Sequence, residues 1–181
     1  MDKFESLYEK ELSREYIYKG KVFDIVRCHA ELADKTPVKR EIMVHCGGVG
    51  VLPVDNDGNI YLVRQYRYGA GDLTLEIPAG RREEGEDTLE CAKRELREET
   101  GFTSSNIVSM GYLLTSPAIL SEKIFIYLAR DLVNGVQDLD FDERLSVVKV
   151  HIDDAINMIM NGEILDSKTQ IAIFKAKNII G

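Results

Sequence analysis

Between Gly80 and Phe102 the chain reads GRREEGEDTLECAKRELREETGF. Glu95, Glu98 and Glu99 share one face of a helix there, beside an apolar stripe of Leu89, Ala92 and Leu96. Like charges this close repel by roughly a few tenths of a kcal/mol per exposed pair, and by more where water is excluded. A helix shaped for stability alone would interleave lysine. Arg94 and Arg97 flank the face but cannot neutralise all of it. A solvated acidic face is the ordinary explanation of a bare Glu-Glu pair. Here the carboxylates border the core-facing stripe instead, and hard divalent cations take oxygen ligands. Mg²⁺ in particular uses one or two carboxylates together with waters and substrate phosphates. The pattern favours a metal site.

The elements that must hold this face are legible around it. Asp87, with Glu90 three residues later, makes a capping-box-like start for a helix from Asp87 to Thr100, and Gly101 stands where a helix C′ glycine belongs. Strand-like runs precede it: two in Glu15–Glu31 around Lys19-Gly20-Lys21, then Val38–His45, Val49–Val54, Ile60–Arg67 and Leu73–Ile77. Asp55-Asn56-Asp57-Gly58-Asn59 supplies a turn between the fourth and fifth runs. Ile107–Leu114, Lys123–Ala129 and Leu145–Val150 follow as strands. Asp153–Met160 and Lys168–Asn178 read as helices divided by Asn161-Gly162. Strands around one central helix, with helices at the end, make an α+β pattern rather than a regular βαβ alternation. No linker separates independent domains. The expected division is an N-terminal β appendage over 1–45 and a main domain over 46–181.

Composition narrows the function. The chain has 181 residues, 23 Lys plus Arg and 31 Asp plus Glu, a net charge of −8. That balance argues against a general nucleic-acid binder, which needs a basic face. No apolar run approaches the roughly 20 residues of a bilayer span. The Met1-Asp2-Lys3-Phe4-Glu5 start lacks the apolar core of a secretion signal. Cys28, Cys46 and Cys91 form no C-x-x-C pair and no disulfide framework, so a cytoplasmic home is expected. With His29, His45 and His151 equally scattered, a His/Cys zinc site is not expected.

The acidic segment resembles the signature of the Nudix hydrolases, G-x5-E-x7-R-E-U-x-E-E-x-G-U, where U is a bulky aliphatic residue. Gly80, Glu86, Arg94, Glu95, Leu96, Glu98, Glu99 and Gly101 fall on its fixed positions, with Phe102 in place of the last aliphatic. The strand order outside the motif extends the likeness to roughly residues 10–178. The resemblance implies an α/β/α sandwich around a mixed sheet, with the motif as loop–helix–loop. It makes Glu95 and Glu99 metal ligands and Glu98 a ligand or partner, and it adds the Ala79 carbonyl, which a tight turn at Gly80 would aim at the metal. Arg94 and Glu86 become an orienting ion pair, compatible with an ordinary i,i+4 pair between Arg94 and Glu98. The implied cofactor is Mg²⁺, with Mn²⁺ as the alternative.

The flanks resemble one branch of the family. Leu75-Glu76-Ile77-Pro78-Ala79-Gly80 is similar to the E-x-P-A-G lead-in of ADP-ribose and other sugar-nucleotide pyrophosphatases, and Arg64-Gln65-Tyr66-Arg67 to the strand before it. Pro117 lies 16 residues after Gly101, a position associated in the family with ADP-ribose. Ala118 departs from the glycine frequent after that proline. The absence of Trp leaves adenine stacking to Phe, Tyr or an Arg face. By this resemblance Arg40, Arg67, Glu76 and Pro117 contact substrate; the plain alternatives are surface arginines and a turn proline. The general base is expected on a late loop before a strand, where Glu143 aligns best and Asp142 is second. Asp138, Asp140 and Asp142 also mimic the start of a calcium loop, but Lys149 stands where its twelfth-position acid is required. The expected activity is Mg²⁺-dependent hydrolysis of ADP-ribose to AMP and ribose 5-phosphate, in a homodimer that exchanges N-terminal strands. Its partner is then a small nucleotide diphosphate sugar, with no nucleic acid and no membrane. The rivals are a pyrophosphatase for another nucleotide sugar such as GDP-mannose, and a non-catalytic nucleotide sensor on an inherited fold.

Overall fold

The computed structural model describes residues 4–180; Met1, Asp2 and Lys3 of the charged N-terminal run, and Gly181, lie outside them. The chain divides into two compact units, one of Met1–Gly47 with Leu114–Glu122, the other of Gly48–Leu113 with Lys123–Gly181. No helix among the described residues is long and apolar enough to cross a membrane.

In the first unit, β1 (Lys10–Lys19), β2 (Asp24–Glu31) and β3 (Pro37–Val44) form an antiparallel sheet in that order. The hairpin expected at Gly20 is present; the Gly20 N–H reaches the Phe23 carbonyl at 3.2 Å and Asp24 Oδ1 at 3.2 Å. β1 starts at Lys10, five residues before the Glu15 boundary read from the sequence. Its early part carries Lys10, Glu11 and Arg14 and is exposed throughout, so it shows no apolar alternation; pairing with β2 defines it instead. Leu114–Glu122 belongs to this unit because Met43 N–H donates to the Ile119 carbonyl at 2.7 Å, and Ser121 N–H to the Met43 carbonyl at 3.0 Å.

The second unit contains β4 (Gly48–Pro53), β5 (Asn59–Arg67), β6 (Asp72–Glu76), β7 (Ala79–Arg81), α1 (Thr88–Thr100), β8 (Asn106–Leu114), β9 (Lys123–Arg130), β10 (Leu145–His151), α2 (Ile152–Met160) and α3 (Ser167–Ile180). One sheet runs β10-β5-β6, all antiparallel. The other runs β7-β4-β9-β8, with β4 and β9 parallel. β4 is apolar at nearly every position because both of its faces are covered. Val49 and Val51 pack with Cys91, Ala92 and Leu96 of α1, whereas Leu52 joins the cluster holding Ala172, Ile173 and Ala176 of α3. The two faces of one strand thus meet different helices, which makes the α/β/α layering.

α1 forms where expected. Asp87 Oδ1 accepts the Leu89 and Glu90 N–H groups at 2.9 and 3.2 Å, and Gly101 closes the helix in the left-handed region at φ 76°. The reciprocal half of the capping box is missing, because the Glu90 carboxylate turns to Lys93 at 2.6 Å. The segment after β9 returns to the far end of α1. Thr103 and Val133 exchange backbone hydrogen bonds, and the Asp138 N–H caps the Glu98 carbonyl at 3.0 Å. The Gln137 side-chain amide donates to the Glu99 carbonyl. These bonds fix the start of the loop that carries Glu143.

Candidate active site

The acidic face of α1 sits against β7. Gly80 pairs with Val49 of β4, and the Glu95 carboxylate lies directly over its Cα. A β-carbon on Gly80 would stand 1.9 Å from Glu95 Oε1. Gly80 does not lie in the left-handed region, so the tight turn expected there is not its function. The missing side chain makes room for a carboxylate. One residue earlier, the Ala79 N–H donates to Glu99 Oε2 at 3.0 Å. Two neighbouring residues of a three-residue strand thereby locate two of the three glutamates.

Glu95 is 6% exposed and Glu99 2% exposed. Burial pushes the Glu95 carboxyl up to about 7, against the pull of Arg94 and with the help of the Glu98 and Glu143 charges. Burial pushes Glu99 up to about 8; the Glu95 charge adds to this, and the Ala79 N–H opposes it. Glu99 is raised by the charge of Glu95 beside it, and Arg94 offsets only part of the burial of Glu95, so the pair leaves negative charge uncompensated on hard oxygen donors. That is the environment a divalent cation fits, and neither His nor Cys competes within the set. Among the described residues no three His, Cys, Asp or Glu side chains converge on one point. Arg94 gathers the acids instead. Its guanidinium reaches Glu86 at 2.9 Å, Glu95 at 2.7 Å and Glu98 at 3.0 Å. The Glu86 pair ties the loop before α1 to the helix, and its Arg94 hydrogen bonds hold the Glu86 carboxyl down to about 2. The i,i+4 pair with Glu98 is made by the same side chain.

Arg67 grips Glu76 through two parallel hydrogen bonds of 2.8 and 2.9 Å. Glu76 is 2% exposed. Burial alone would raise its carboxyl, but the bonds from Arg67, Lys168 and Thr74 outweigh it and hold the group at about 2. After the Glu76 bonds, burial and the Glu76 charge, the Glu99 charge also acts on Arg67. Glu143 is half-buried; its Oε2 accepts the Asp140 N–H at 3.3 Å, and its charge acts on both Glu95 and Glu99. Asp142 is exposed. A cavity of about 620 Å³ between the Asp55–Gly58 turn and the α2 and α3 ends contains none of these residues. The α1 face, by contrast, brings perturbed titratable groups and charged partners together, the pattern of a candidate site.

Arg40 and Pro117 are in the first unit. Arg40 bonds to Glu9 at 2.6 Å and to the Lys39 carbonyl. Pro117 lies in a turn closed by Ile119 and Leu120 N–H groups on the Ser116 carbonyl. The sequence reading missed Lys168 and Asp166, which continue the Arg67–Glu76 pair at 2.5 and 2.9 Å. The one local signal was a lysine in the first turn of a helix, where the dipole disfavours a cation; it points to no particular partner.

A family model described as the NUDIX domain matches residues 44–167. An ADP-ribose pyrophosphatase of Bacillus subtilis (strain 168) is 38% identical over 170 residues, covering 93% of this chain and 92% of that protein. A methanol dehydrogenase activator of Bacillus methanolicus is 36% identical, covering 91% of this chain and 90% of its own. A GDP-mannose pyrophosphatase of Enterobacter sp. (strain 638) is 27% identical, covering 94% and 93%. A crystal structure of an ADP compounds hydrolase superposes with a TM-score of 0.83 at 23% identity, covering 95% of this chain and 94% of that one.

Proposed function

The chain belongs to the Nudix hydrolase family, and from that premise we propose that it hydrolyses the diphosphate of ADP-ribose to AMP and ribose 5-phosphate. The observation that carries the reading is the pair of buried carboxylates, Glu95 and Glu99, seated on Gly80 and Ala79. Glu95, Glu98, Glu99 and the Ala79 carbonyl would hold Mg²⁺, or Mn²⁺ in its place. A bound divalent cation supplies positive charge to the diphosphate and makes a water more acidic.

Every other part falls to the chain itself. Glu143 accepts the proton of the attacking water, from a loop anchored at its start by the Asp138 and Gln137 bonds to the α1 terminus. The water oxygen bonds to one phosphorus, the bridging P–O bond breaks, and the leaving phosphate takes the electron pair. Arg67 presents its open guanidinium edge to the diphosphate oxygens while Glu76 fixes its plane. Arg94 and Glu86 keep α1 against its loop. Arg40 and Pro117 stand as substrate residues on the sequence likeness alone. The N-terminal sheet is proposed as a dimer element, since β1 exposes Leu12, Tyr16, Ile17 and Tyr18; sedimentation showing a monomer at micromolar concentration would refute that part. We place the protein in the cytoplasm, with no nucleic-acid or membrane partner.

A second reading has support of its own, because GDP-mannose pyrophosphatases align over nearly the whole chain. A panel of nucleotide sugars, hydrolysed in H₂¹⁸O with mass analysis of the products, separates the two and identifies the attacked phosphorus. Preference for ADP-ribose of at least about tenfold, roughly 1.4 kcal/mol, is expected. A smaller margin refutes the substrate assignment. Tight binding of ADP-ribose without turnover would make the chain a sensor.

A further inference from the structure

Lys168 is the second residue of α3, where the helix dipole disfavours a cation. It stays there because two acids hold it, Asp166 Oδ1 at 2.9 Å and Glu76 Oε2 at 2.5 Å. The other Asp166 oxygen accepts the Thr169 N–H at 2.9 Å and its hydroxyl at 2.5 Å. The Thr169 oxygen in turn accepts the Ile77 N–H at 2.8 Å, which locks the start of α3 to the residue after Glu76. Four donors converge on Glu76: Arg67 Nε and Nη2, the Thr74 hydroxyl and Lys168 Nζ. These residues wall a cavity of about 430 Å³. The Lys168 side chain is 11% exposed, whereas that of Arg67 is 43% exposed. Only Arg67 offers a broad open edge to an anion; Lys168 reaches it through Glu76.

We propose that Lys168 is a positioning residue for the diphosphate, acting by sharing Glu76 with Arg67. This rests on the reading of Arg67 as a diphosphate ligand. With Lys168 in place, Glu76 is neutralised from two sides, and the Arg67 charge remains directed outward. Without it, Arg67, already in both hydrogen bonds to Glu76, alone balances that buried carboxylate, and less of its charge is left for an anion. The consequence is weaker ground-state binding with the chemical step intact.

Steady-state kinetics of the full chain with ADP-ribose and Mg²⁺ tests this. K168M should raise KM about tenfold, the scale of one charged hydrogen bond, and change kcat less than about threefold. K168R, which keeps charge and reach, should restore KM to within about threefold. In an R67A background K168M should have no further effect on KM, because the two act as one unit. K168Q keeps a donor toward Glu76 without the charge and gives the same reading where K168M does not fold. An unchanged KM with a lowered melting temperature would show a structural role and overturn the proposal. So would an equal KM effect with and without Arg67. A wild-type chain that splits another nucleotide sugar in place of ADP-ribose refutes the substrate assignment alone, and the same comparison on that compound decides Lys168. A chain that hydrolyses no nucleotide diphosphate overturns both.

Discussion

Glu99→Gln separates folding from chemistry. Without a divalent cation, burial and then the Glu95 charge raise the Glu99 carboxyl from 4.5 to about 8. At ~1.4 kcal/mol per tenfold change in acidity, that places the charged form up to about 5 kcal/mol above its unfolded counterpart. Relaxation and water entry reduce this to on the order of 1–3 kcal/mol. The raised value means that the folded chain binds this proton more tightly than the unfolded chain. The associated stability is complete below about pH 4.5 and is lost as pH rises through about 8. Glu95, raised to about 7, adds a loss of the same sign. Gln keeps the size of the side chain and an acceptor for the Ala79 N–H, but it does not ionise. In EDTA at about pH 8, E99Q should therefore melt about 2–10 °C above wild type, with the gap closing near pH 5. Saturating Mg²⁺ should reverse the order, since wild type gains the binding free energy. kcat of E99Q should fall at least about a hundredfold. Circular-dichroism melts across pH, with and without Mg²⁺, read the effect. A wild type more stable than E99Q in EDTA at pH 8 would refute the reasoning.

Three further outcomes are expected. Gly80→Ala places a β-carbon 1.9 Å from Glu95 Oε1, and the carboxylate can move aside; urea melts should shift by no more than about 1 kcal/mol while kcat falls about a hundredfold. Glu143→Gln should lower kcat by about 10²–10⁴ with KM steady; an unchanged kcat assigns the base elsewhere. EDTA should abolish turnover, and Mg²⁺ or Mn²⁺ should restore it; activity that survives exhaustive chelation would exclude metal assistance.

Much of this arrangement was legible in the chain because α1 follows local rules. Asp87, the Leu89/Ala92/Leu96 stripe and Gly101 each act within a turn or two, and the helix lies between them. The acidic face was legible for the same reason, since its spacing alone sets its direction. β7 was not. Ala79–Arg81 is three residues long, carries a glycine and follows a proline, and it is a strand only because β4 pairs with it. The role of Gly80 was hidden with it: the glycine answers to Glu95, fifteen residues ahead, not to its own backbone angles. The early half of β1 was hidden because an exposed strand need not alternate. Lys168 and Glu76 are 92 residues apart, and only the packing of α3 brings them together.

The central claim is that the buried glutamates of α1 exist to hold hard cations against a pyrophosphate. A crystal grown with Mn²⁺ and a nonhydrolysable ADP-ribose analogue, measured at the manganese absorption edge, tests it most directly. Anomalous peaks within about 2.0–2.4 Å of Glu95 and Glu99 oxygens, bridged to the diphosphate, are predicted. A nucleotide bound away from α1, with those carboxylates free of metal, would contradict it.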